Sequence, residues 1–146
     1  MFEKPLFEKF RNECDARVKD AAEKFEALVN GHLYDVEGED TILRTPCINS
    51  RHEDGIRQIS VSEFMDRYPD FQFITDGKLN YQHGRLYLCE GGPSVWIDTE
   101  ARCMKLSWNT FKAQWGLSEK AVAAADEWFE EVYRMSLCGI RDRHMN

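Results

Sequence analysis

No stretch of this chain stays apolar long enough to cross a bilayer, because charged residues make up 31% of it and interrupt every hydrophobic run. The opening residues, MFEKPLFEKF, carry glutamates and lysines where a leader has a continuous apolar core, so they read as neither a signal peptide nor a transit peptide. A cytoplasmic location is therefore expected. Cysteine pairs of the CxxC type are missing as well. The cysteines, at 14, 47, 89, 103 and 138, are odd in number and widely scattered, and they are expected to be reduced thiols; a zinc ribbon and a thioredoxin-like site are both disfavoured. Neither G-x-x-x-x-G-K-[ST] nor G-x-G-x-x-G occurs, which removes the common nucleotide-cradling loops. Internal repeats, low-complexity tracts and dividing linkers are also lacking. One globular domain over 1–146 is expected, long enough to bury a core without disulfide or metal staples, and no cofactor or metal is expected.

Basic charge is in short supply: 19 Lys and Arg stand against 26 Asp and Glu, a formal net charge of −7. That balance argues against direct nucleic-acid binding, which calls for a basic face. The imbalance is concentrated in residues 31–70, where Asp35, Glu37, Glu39 and Asp40 form an acidic run with no base among them.

Hydrophobic periodicity then sets the fold. Phe7, Phe10, Cys14, Val18, Ala21, Phe25 and Leu28 recur at spacings of three and four and predict a helix over 5–30, stopped by Gly31. A short coiled coil is one use of that stripe, and packing on the domain's own sheet is the favoured one, since the pattern lasts fewer than four heptads. Short strands are expected at HLYDV, TILRT and IRQISV. Ser60 and Glu63 have capping-box spacing before two helical turns that end at Pro69. Five β-favouring runs follow, FQFIT, KLNYQ, RLYLC, SVWID and RCMKLSW, punctuated by DG, HG, EGGP and TEA as in a hairpin meander. NTFKAQWG reads as a short helix, and EKAVAAADEWFEEVYRMSLC as a long one with Ala121, Ala125, Trp128, Val132 and Met135 on its apolar stripe. Gly139 is the expected stop and IRDRHMN a frayed tail. The expected class is α+β, an antiparallel β-meander with the N- and C-terminal helices packed on one face.

Tests for chemistry mostly eliminate. CEGGPSVW at 89–96 combines a thiol, a carboxylate and a double glycine, but it leads into a strand instead of a helix N-terminus, so a hairpin turn is expected. LRTPCINSRHEDGIR at 43–57 is rich in reactive types. Glu53 nevertheless stands where a cysteine phosphatase loop starting at Cys47 needs arginine, and Ile56 where a zinc protease helix needs a second histidine after His52. DVEGED begins like a calcium loop, but Asp40 and Pro46 occupy the positions that need glycine and glutamate. FKAQWGLSEKAVAAADEW has the outline of a helix-turn-helix whose second helix carries Asp126 and Glu127 and too few donors to read bases.

The acidic groups remain. Asp35, Glu37, Glu39 and Asp40 form one cluster; Asp126, Glu127, Glu130 and Glu131 crowd around Trp128 and Phe129 in another, in which the indole supplies an aromatic anchor if it faces outward. The expectation is a non-catalytic acidic protein-binding module, of the character of bacterial or phage inhibitor and immunity-type proteins, that docks a partner's basic groove such as that of a nucleic-acid-processing enzyme. Two rivals stand beside it: a small enzyme or metal site built on Cys47, His52, His83 and Cys89, and a structural subunit of an oligomer using the first helix as its seam.

Overall fold

The computed structural model describes residues 4–31, 34–36, 56–90 and 92–145. Helix α1 spans Lys4–Val29. Its three- and four-residue spacing buries Cys14, Val18, Ala21, Phe25 and Leu28 of the predicted stripe, with Ala22 beside them; Phe10 is partly buried, and Phe7 at the start of the stripe is 44% exposed. Gly31 takes a φ of 78° just past its end, a left-handed conformation that glycine adopts without a Cβ clash, and its N–H donates to the Leu28 carbonyl at 2.9 Å.

Strands β1 (Tyr34–Val36) and β2 (Ile56–Gln58) pair antiparallel as a separate ribbon, with Tyr34 opposite Gln58 and Val36 opposite Ile56. The strand expected at TILRT lies outside the described residues. Helix α2 (Val61–Met65) starts at Ser60, whose Oγ accepts from the Glu63 N–H at 3.1 Å, the N-cap half of the predicted box. Phe64 and Met65 from this short helix enter the core.

Strands β3 (Phe71–Thr75), β4 (Tyr81–Cys89), β5 (Ser94–Asp98), β6 (Cys103–Trp108) and β7 (Phe111–Gly116) follow one another across a five-stranded antiparallel sheet. Helix α1 packs across β6 and β7, while helix α3 (Glu119–Met145) lies against β4, α1 and α2. Both long helices therefore cover the same face, giving the expected α+β architecture. Side chains alternate between the faces of a strand, so Leu86 and Leu88, Val95 and Ile97, and Met104 and Leu106 all point under the helices into one apolar cluster. The α1 stripe is occupied by this sheet.

Five local expectations are corrected. HG is not a turn: Gly84 lies inside the nine-residue β4, and KLNYQ is mostly the turn before it, in which Asp76 Oδ1 accepts from the N–H groups of Lys78 and Asn80 at 2.8 and 2.9 Å. FKAQWG is not a helix but strand β7. Asn109, at a φ of 56°, allows a two-residue hairpin turn between the paired residues Trp108 and Phe111, and the edge of β6 completes the pairing. Gly139 does not stop α3, which runs on to Met145; a glycine away from the left-handed conformation weakens a helix without ending it. Met135, placed on the apolar stripe, is 63% exposed.

Candidate functional site

Among the described residues no long helix packs on the sheet's second face, and its chemistry differs from that of the core face. On this open side, period-two alternation places His83, Arg85 and Tyr87 of β4 next to Trp96 and Asp98 of β5, followed by Lys105 of β6 and Lys112 and Gln114 of β7. Tyr87 and Trp96 are directly opposite in register, and their rings lie with centroids 5.5 Å apart and planes inclined by 32°. Both are half-buried. Such cross-strand aromatic pairs stiffen a sheet and leave a flat apolar platform on its surface.

Beside the platform sits a charged node. Asp98 is only 1% exposed, and by strand alternation it lies on the face opposite the two long helices. Its Oδ2 is 3.3 Å from Arg85 Nε and 3.5 Å from Lys105 Nζ, and its Oδ1 accepts from the Ala101 N–H at 3.0 Å. A carboxylate tolerates burial only when opposite charge and hydrogen bonds replace its water, and here strands on both sides supply the cations. Opposite Asp98 in register stands the buried Cys103, whose thiol is pushed up by burial, with Lys105 pulling it down and Asp98 adding to the rise. Among the described residues placed on this face, the cations Arg85, Lys105 and Lys112 outnumber the carboxylate Asp98, a basic local balance on a chain of net charge −7. A depression of about 290 Å³ opens between the platform and the sheet edge, lined by Trp96, Lys105, Lys112 and Gln114 together with Leu106 and Ala113.

Comparison with known proteins finds no match. No family model, no curated protein and no solved structure corresponds to this chain.

The residues singled out from sequence fall elsewhere. Asp35 is on β1, opposite Arg57 in the ribbon register. Glu37, Glu39 and Asp40 lie outside the described residues. Glu127, Glu130 and Glu131 are exposed on α3, with Glu130 paired to Arg134 at 3.2 Å. Trp128 is the correction: it is 6% exposed, packs edge-on against Phe71 and Phe129, and donates its indole N–H to Asp66 Oδ1 at 2.9 Å. Its place three and seven residues after Ala125 and Ala121 puts it on the inward line of the helix, so it is not an exposed anchor. The neighbouring Asp126 is engaged by the Tyr81 hydroxyl at 2.5 Å.

Of the four-residue enzyme or metal alternative, only one half lies among the described residues. Cys47 and His52 lie outside the described residues, while His83 and Cys89 are six residues apart on the single strand β4, roughly 20 Å at the rise of an extended chain. Among the described residues, no three His, Cys, Asp or Glu side chains gather as a metal site. Cys89 is half-buried and donates to the Pro93 carbonyl at 3.4 Å, within the turn that joins β4 to β5. β4 and β5 pair antiparallel on either side of this stretch, with Cys89 opposite Val95, as in the expected hairpin, and Gly92 has a φ of 123°.

Proposed function

We propose that this protein is a non-catalytic protein-binding module that engages its partner through the open face of the five-stranded sheet. The observation that carries the reading is the Tyr87–Trp96 platform flanked by cations on the face opposite the two long helices. Half-buried aromatic rings held rigid by their neighbours supply contact area at a small entropic cost, and flanking charge sets orientation. The acidic surface expected from the sequence keeps Glu127, Glu130 and Glu131 exposed, but its aromatic anchor lies in the core. Carboxylates alone give weak, screened contacts. The recognition surface is therefore assigned to the sheet.

The test compares two variants as immobilised baits in an extract of the source cell, with each fold verified by circular dichroism. Tyr87→Ala/Trp96→Ala removes the platform, and Glu127→Lys/Glu130→Lys/Glu131→Lys reverses the helix ridge. The expected result is a protein retained by the wild type and by the ridge variant and lost from the platform variant. Retention by the platform variant with loss from the ridge variant refutes the assignment and restores the acidic surface.

A further inference from the structure

We infer that the depression at the β7 end of the open face is a carboxylate-recognition site, and that the partner segment seated there is an extended acidic one. This deepens the reading of the open face as the docking surface and rests on it. Every strongly polar side chain that lines the depression is a donor of positive charge or an amide: Lys105, Lys112 and Gln114. Lys105 and Gln114 face each other across β6 and β7, and Lys112 stands two residues from Gln114 on the same strand, about 7 Å along it. Lys105 is held at 3.5 Å from Asp98, yet an ammonium has three donors and one acceptor takes only one of them. Lys112 has no ion pair among the described residues. Trp96 forms the apolar wall and keeps water from one side, which strengthens a charge pair formed against it.

The shape of the occupant follows from the sheet order. Strand β7 is the last strand, so its outer backbone edge has no strand beside it among the described residues. An extended segment added there presents alternate side chains to one face at about 7 Å intervals, which matches the spacing from Lys112 to Gln114. Lysine on an edge strand ordinarily discourages indiscriminate pairing. A segment with carboxylates at alternate positions neutralises that guard, whereas neutral or basic segments meet it unpaired. The same lysines that exclude most strands select acidic ones.

The probe is a fluorescein-labelled eight-residue peptide of alternating Glu and Val, read by anisotropy against the full chain. Its controls are the Gln/Val peptide of equal length and a single-stranded dT octamer. The expected result is binding of the Glu peptide that weakens about tenfold or more in the Gln peptide, weakens by a similar factor in Lys112→Glu/Gln114→Glu, and falls with added salt. Both substituted residues are exposed, and Lys112→Gln is a milder second variant with an intermediate expected loss. Lys105 is left in place because it neutralises Asp98. Equal affinity for the Gln peptide, no binding of the Glu peptide, affinity unchanged in the Lys112 variants, or tighter binding of the dT octamer each overturns the inference. Should the platform variant lose its partner while the Glu peptide fails to bind, the carboxylate site falls and the docking face stands.

Discussion

Replacing Gly84 by alanine tests the core packing most directly. A Cβ built at this position lies 2.4, 2.5 and 2.6 Å from Cγ, Cδ1 and Cδ2 of Phe129. Carbon atoms in contact settle at about 3.5–4.0 Å, so the ring must withdraw by about 1 Å. It has nowhere to go: Phe129 is fully buried, and the Trp128 ring centroid is 5.2 Å away. Overpacking of this kind destabilises by about 1–3 kcal/mol, offset by about 0.4–1 kcal/mol because alanine restricts the unfolded chain more than glycine does. The expected net loss is about 1–2 kcal/mol, which at this chain length lowers the melting temperature by about 2–8 °C. Urea unfolding followed by circular dichroism measures it, with Gly84→Ala/Phe129→Leu as the companion. The smaller side chain relieves the clash, so the double variant should lose less than the sum of the two single changes. A Gly84→Ala protein as stable as the wild type, or more so, refutes the close approach of α3 to β4. That is the result expected if HG were an open turn.

Three further outcomes follow from named groups. Asp98→Asn keeps the acceptor for Ala101 but leaves Arg85 and Lys105 without their counter-charge; because these cations keep 35% and 31% of their side-chain exposure, water screens the loss, and about 1–2 kcal/mol of stability should go. An unchanged urea midpoint contradicts the node. Burial, reinforced by the hydrogen bond to the Asp126 carboxylate, pushes the Tyr81 phenol up from its ordinary value. Below about pH 10 folded and unfolded chains both hold this proton; above it the unfolded chain releases it first, so stability declines as pH rises, and Tyr81→Phe should lose that part of the alkaline decline. Parallel slopes for the two proteins between pH 8 and 11 rule this out. Finally, Cys103 is buried and its thiol is pushed up, so iodoacetamide should label it about tenfold or more slowly than the half-buried Cys89 at neutral pH, read by peptide mass spectrometry. Equal rates argue that β6 opens freely.

A chain can be acidic overall and still offer a basic surface. Here Glu127, Glu130 and Glu131 on α3 face solvent, while Arg85, Lys105 and Lys112 share the sheet's open side. Net charge bears on solubility and long-range repulsion and says little about the sign of a particular surface such as the sheet face that carries Tyr87 and Trp96.

The sequence by itself determined the helix α1, the meander and the sharing of one sheet face by two helices, because periodicities of 3.6 and 2 are local and survive without knowledge of partners. It also determined the Ser60 cap, which needs only a hydroxyl and an amide three residues on. Only the tertiary structure decided where FKAQWG belongs, since a six-residue segment with Phe111, Ala113 and Trp115 at alternate positions becomes a strand when an adjacent edge accepts its backbone. The same holds for Gly84, a turn signal in sequence that serves to admit a ring from a helix 45 residues away. It holds most of all for the open face. Tyr87, Trp96, Asp98 and Lys105 were visible as the outward half of each alternation, but which of them stand opposite one another depends on strand register, and register is set by long-range packing and the bulge in β4.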